Sequence, residues 1–137
     1  MSRPARWLGV GRTETGHVRS MNQDVFAAIN SCNFWIVADG MGGHPGGDVA
    51  AHLAVHAATE RAKSLLAGKD LTPEMQAARL TETLTAANRA VHEKMRQEPA
   101  LRGMGTTIVA MTITPTAPSV ACIAHLGDSR AYRFHAG

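Results

Sequence analysis

Phe34-Trp35-Ile36-Val37-Ala38-Asp39-Gly40-Met41-Gly42-Gly43-His44 is an apolar run that ends in an acid and then in glycines. Its first residues carry the aromatic and β-branched side chains of a buried strand. A carboxylate at the end of such a strand is held rigidly at the edge of the core. A glycine beside it lets its own carbonyl reach a ligand with no side chain in the way. Carboxylate plus carbonyl is a hard, all-oxygen donor set, which suits Mg²⁺ or Mn²⁺ rather than zinc. Taken alone, an Asp-Gly pair is most often a plain turn, so the surrounding chain has to decide.

Upstream, Asp24 to Asn30 reads as a second strand, and Asn30-Ser31-Cys32-Asn33 between the two runs is a hairpin signal. Trp7 to Thr13 reads as a further strand. Downstream of the Gly-rich stretch Gly40 to Gly47, Val49, Leu53, Ala57 and Leu65 recur near a helical period, with alanines between them. Gly68 stands where a helix C-terminal cap is expected. Thr72-Pro73 opens a second helix, with Thr as N-cap and Pro at the first helical position. Leu80, Leu84, Ala87, Val91 and Met95 form its apolar stripe, and Pro99 lies just past its end. Thr106 to Thr114 and Val120 to Leu126 then read as strands around a turn at Pro115 to Ser119. Another turn follows at Gly127-Asp128-Ser129, and a last strand starts at Ala131 to Phe134. Meandering strands with two long helices between them predict an α+β fold with an antiparallel sheet.

The 137 residues allow one domain. With 45% hydrophobic and 18% charged residues the chain is globular rather than disordered. The net charge of +3 is mild, and Arg3, Arg6, Arg12 and Arg19 are scattered without interleaved aromatics, so no nucleic-acid partner is expected. Cys32 and Cys122 lack the spacing of a zinc or redox pair and read as small buried hydrophobes in a reducing compartment. The first residues lead into no apolar signal segment, and no run approaches the length of a membrane span. A cytoplasmic location and no membrane partner are therefore expected.

Several motifs fail on chemistry. Gly42 and Gly47 have the separation of a Walker loop, but Asp48 stands where the phosphate-binding Lys must be. The dinucleotide fingerprint fails because Pro45 replaces its third Gly. His52 and His56 lie four apart, yet Leu53 replaces the Glu a zincin needs, and they read as helix-surface histidines. Met75 and Met95 read as core filler, and Asp48 as an acid complementing the first helix's dipole. Two stretches remain. Arg19-Ser20-Met21-Asn22-Gln23-Asp24 places a planar, phosphate-binding fork five residues before an acid. His125-Leu126-Gly127-Asp128 is a second apolar strand ending in Gly-Asp.

In order, Arg19-x-x-Asn22-Gln23-Asp24, Asp39-Gly40-Met41-Gly42-Gly43-His44-x-x-Gly47, Gly103-Met104-Gly105-Thr106-Thr107 and Gly127-Asp128-Ser129-Arg130-Ala131-Tyr132 resemble one family. It is the bacterial branch of the PP2C (PPM) family of metal-dependent serine/threonine protein phosphatases. The match runs from about Gly11 to Arg133. The resemblance implies that Asp39 bridges two divalent ions, Mn²⁺ or Mg²⁺, and that Gly40 gives one of them its carbonyl. It implies that Asp24 holds water from the second shell, that Arg19 binds phosphate, and that Asp128 is a ligand of a third ion. Some members carry a candidate general-acid His where Met41 stands here; the resemblance implies that His44, three residues later, or a water gives the leaving group its proton. Thr106 and Thr107 match a stretch read as a structural strand start beside the site. The substrate implied is a phosphoserine or phosphothreonine protein, linked to a serine/threonine kinase.

The family's domain is markedly longer and normally carries two further metal-binding acids, in later Asp-Gly and Asp-Asn motifs. Its architecture is two stacked antiparallel sheets flanked by helices. The resemblance therefore implies that residues 1–137 are the N-terminal half of an α+β, antiparallel β-sandwich domain, incomplete at the C-terminus, from a truncated gene product or a partial sequence. The alternative is a catalytically inactive phosphatase-like domain that binds a phosphoprotein or another partner.

Overall fold

The computed structural model describes residues 7–41 and 46–136. Among these, four strands form one antiparallel sheet in sequence order: β1 (Asp24–Ile29), β2 (Phe34–Gly40), β3 (Thr106–Ile113) and β4 (Ala121–Leu126). Between β2 and β3 the chain makes two long helices, α1 (Gly47–Leu66) and α2 (Pro73–Gln97). The α+β expectation is met.

Local chemistry explains the boundaries. A short 3₁₀ turn at Asn30–Cys32 joins β1 to β2, and Asn33 closes it at φ 50°, a left-handed conformation that Asn tolerates better than most residues. The hairpin register then pairs Ile29 with Phe34 and Asp24 with Asp39. Helix α1 ends at Leu66 and Gly68 takes φ +65°, as a glycine past a helix end does. The Thr72 side chain accepts the Met75 N–H at 3.2 Å and Pro73 fills the first turn, so α2 starts where its cap dictates.

The pleat sorts the sheet into two faces. Phe34, Ile36 and Ala38 of β2, with Ile108, Ala110 and Thr112 of β3, are buried against the helices. Leu80, Leu84, Ala87 and Val91 of α2 complete this core, with Met95 packed against it. Helix α1 departs from expectation. Leu65 is buried as expected, with Leu66 beside it, but the rest of the buried side is made by Ala50, Ala51, Ala54, Val55, Ala58 and Ala62, while Val49, Leu53 and Ala57 are only half-buried. Methyl side chains let the helix backbone approach its neighbours closely, so over most of its length the contact face is lined by alanines, with Val55, Leu65 and Leu66 as its larger members. Met75 is 46% exposed and fills no core. Cys32 is buried and Cys122 half-buried.

The opposite face carries Phe26, Trp35, Val37, Val109, Met111 and Ile123. These line a groove of about 480 Å³ with Val10, Gly11 and residues 129–133 at its margins. Val37 and Ile123 are each more than half exposed. A second, stacked sheet would lie on this face; none occurs among the described residues.

Two expected strands do not form. Residues 7–13 and 131–134 have no ladder partner among the described residues, and a strand exists only by pairing. The first segment instead lies against the open face. The Gly9 N–H donates to Asn30 Oδ1 at 2.9 Å, an acceptor shared with Trp35 Nε1. Gly9 passes so close to the Trp35 ring, and Gly11 to the Phe26 ring, that a Cβ on either would overlap it.

Candidate active site

Directly opposite residues on antiparallel strands point to the same face. Asp24 of β1 pairs with Asp39 of β2, and Asp39 in turn with Thr107 of β3. Asp39 follows Trp35 and Val37 at the strand period, so the two acids stand at one end of the open face. The approach to Asp24 is set by Asn22. Its Oδ1 accepts the Asp24 N–H at 3.0 Å, and its Nδ2 donates to Thr13 Oγ1 at 2.8 Å.

Gly40 is required for a steric reason. A Cβ there would lie 2.3 Å from the Gly47 carbonyl oxygen, and one on Gly47 would lie 2.6 Å from the Met41 carbonyl oxygen. Only two glycines allow the first turn of α1 to abut the end of β2. The same corner is tied by Gly40 N–H to the Gln23 carbonyl (3.0 Å) and Met41 N–H to the Gly105 carbonyl (2.9 Å).

Asp128 arrives from the far side. It lies in the turn after β4, between Gly127 at φ +93° and Ser129, whose hydroxyl hydrogen-bonds that of Thr107. A Cβ on Gly127 would sit 2.8 Å from Thr107 Cγ2. His125 Nδ1 braces the turn through the Gly127 carbonyl at 3.1 Å.

The Asp39 carboxyl is held above the usual carboxylate range. Partial burial at the strand end comes first, then a hydrogen bond with Asp24 and the charge of Asp24. Arg19 pulls the other way, and Asp128 adds to the rise. Four residues singled out from the sequence, Arg19, Asp24, Asp39 and Asp128, thus share one electrostatic neighbourhood. His44 lies outside the described residues. The donors are oxygen only, and like charges are held together, so the chemistry fits a hard divalent cation. The number of donors is small: no group of three His, Cys, Asp or Glu gathers at ligating distance among the described residues. His52 and His56 are both exposed on α1 and belong to no such group.

Sequence reasoning missed the parts that hold the site together. Gln23 and Asn22 entered only as motif letters, and Thr107 only as the start of a strand. The Thr107–Ser129 bond joins residues 22 apart in the chain, and no local pattern announces it.

The antiparallel sheet, open on one face, places Asp24 and Asp39 at one end of that face, with Arg19 and Asp128 near enough to act on the Asp39 charge. Residues 13–137 match the family described as Protein phosphatase 2C, and the chain belongs to that family. The chain is 40% identical over 124 residues to the serine/threonine phosphatase stp of Listeria monocytogenes, covering 88% of this chain and 47% of that protein. It is 36% identical over 126 residues to the serine/threonine protein phosphatase PstP of Mycobacterium tuberculosis, covering 92% of this chain and 22% of that protein. It superposes on the crystal structure of the M. tuberculosis phosphatase PstP/Ppp with a TM-score of 0.67 at 34% identity, over 87% of this chain and 46% of that one. A structure of the PstP catalytic domain in complex with two manganese ions superposes with a TM-score of 0.66 at 34% identity, over 87% and 47%. The chain spans about half the length of the Listeria relatives it matches.

Proposed function

We propose that residues 1–137 are the N-terminal half of a phosphatase domain that hydrolyses phosphoserine and phosphothreonine in proteins. The observation that carries this reading is the cross-strand pair Asp24 and Asp39, with Arg19 and Asp128 close enough to act on the Asp39 charge. Two divalent ions, manganese or magnesium, with a third in the complete domain, supply when bound the positive charge that activates a water and neutralises phosphoryl oxygens. The Asp39 carboxylate and the Gly40 carbonyl would hold these ions. Asp24 would orient water by hydrogen bonding, Asp128 would help hold a further ion, and Arg19 would set its fork against two phosphoryl oxygens. The water oxygen forms the new bond to phosphorus in line with the ester oxygen that leaves. His44, or a water, returns a proton to the departing alkoxide. The substrate is a phosphoprotein made by a serine/threonine kinase, met in the cytoplasm, with neither membrane nor nucleic acid as partner. Among the described residues no helix is long and apolar enough to cross a membrane.

The test compares this chain with a domain extended through the two later acids. The extended domain should hydrolyse a phosphothreonine peptide in the presence of Mn²⁺. Asp39→Ala should abolish turnover, whereas Arg19→Ala should chiefly raise KM. The 137-residue chain should bind Mn²⁺ weakly and turn over p-nitrophenyl phosphate poorly, because hard cations want six or more oxygens. Turnover surviving Asp39→Ala in the extended domain overturns the site.

The sparse donor set also favours a second reading, an inactive phosphatase-like module that binds a phosphoprotein. Arg19-dependent binding of a phosphopeptide, with no turnover even in the extended domain, would establish it instead.

A further inference from the structure

We propose that Thr107 and Ser129 are positioning residues whose hydroxyl pair holds Asp128 beside Asp39. This rests on the metal-dependent reading above and specifies how its outermost acid is placed.

The β3–β4 ladder ends at the pair Ile108 and Leu126. Asp128 comes two residues later, in a turn that no strand pairing carries. Both residues flanking Asp128 return to one side chain of β3. Gly127 packs on the Thr107 methyl, so closely that a Cβ would fall 2.8 Å from Cγ2, and Ser129 Oγ bonds Thr107 Oγ1. Asp128 is therefore clamped between two contacts to a single residue. That residue is the cross-strand partner of Asp39, so the clamp is keyed to the strand position that carries the bridging acid. The Asp128 side chain is exposed, and no hydrogen bond of its own fixes it among the described residues. Removing the hydroxyl bond should free the turn without disturbing the strand pairing of Asp24 and Asp39.

The test is paramagnetic broadening of amide resonances by Mn²⁺ in the 137-residue chain, read separately at Asp39–Gly40 and at Asp128–Ser129. Thr107→Val keeps the methyl contact and removes the hydroxyl; Ser129→Ala removes it from the other side. In either variant the Mn²⁺ concentration needed to broaden the Asp128 end should rise about tenfold, as loss of an outer-shell partner does. The Asp39 end should change far less. The double variant should be no worse than either single one, because both break one bond. Ser129→Thr, which keeps the hydroxyl and leaves the Thr107 methyl in place, should behave as the parent. Unchanged broadening at Asp128 in Ser129→Ala overturns the proposal even if Thr107→Val fails to fold, as does equal loss at both ends. A parent chain broadened at Asp39 but not at Asp128 also overturns it. A parent broadened at neither end overturns the metal reading, and the positioning role with it.

Discussion

Asp24 and Asp39 stand directly opposite each other across the first strand pair, at the end where the sheet's open face meets the start of α1. Nothing in folding alone recommends two adjacent carboxylates there. The cost shows in the raised proton affinity of Asp39.

That cost has a sign. The folded state binds the Asp39 proton more tightly than the unfolded chain does. The favourable contribution is therefore complete below the ordinary carboxylate pKa and is lost as pH rises through the elevated folded value. Asp39→Asn should stabilise the metal-free chain at pH 7 and make little difference near pH 3. Because the side chain is exposed, solvent screening limits the gain to about 0.5 kcal/mol. Urea unfolding at the two pH values checks it. Added Mn²⁺ should reverse the order at neutral pH, raising the midpoint of the parent and leaving the variant unmoved.

The glycine corner should be intolerant. Gly40→Ala and Gly47→Ala each drive a methyl into a backbone carbonyl, which cannot rotate away as a side chain could. Each should cost about 3 kcal/mol, the upper end of overpacking. Gly68→Ala, with nothing within 4 Å of the added carbon but φ at +65°, should cost only about 1 kcal/mol. A smaller loss at Gly40 than at Gly68 would contradict the packing described.

Neighbours in β2 should respond oppositely. Ile36 is 1% exposed and Val37 51%. Ile36→Ala should destabilise by about 2–5 kcal/mol. Val37→Ala should cost less than about 1 kcal/mol, since most of its surface is already in water. Urea midpoints of the two variants give the comparison.

The start of α2 depends on one oxygen. Thr72→Ala removes the acceptor for the Met75 N–H and should cost about 1 kcal/mol. Thr72→Ser should retain most of the stability, because the serine hydroxyl can accept the same bond. Thermal unfolding followed by circular dichroism distinguishes the two.

What was legible from the residues in order is what short-range physics decides. The Thr72-Pro73 start of α2, the glycine after α1, the hairpin at Asn30–Asn33 and the alternation in Thr106–Thr114 each depend on a few adjacent residues, and each stands where expected. Asp39 and Asp128 were legible because each follows an apolar strand at a glycine, whereas Asp24, which opens β1, was legible only from its place five residues after Arg19. The working face of α1 was not, since a helical period identifies candidate stripes but only the neighbouring surfaces choose between bulky residues and alanines. Residues 7–13 and 131–134 have strand-like composition, yet a ladder needs a partner that composition does not supply.

By itself, then, the sequence determined the two helices and four paired strands in their order and singled out candidate chemistry-bearing residues, because dihedral preference, capping and periodicity act within a few positions. The tertiary structure alone decided that Asp24 faces Asp39, that Gly40 and Gly47 share one steric corner, and that Thr107 reaches Ser129. Those relations are set by strand register and packing between segments distant in the chain, and no local energy term carries that information.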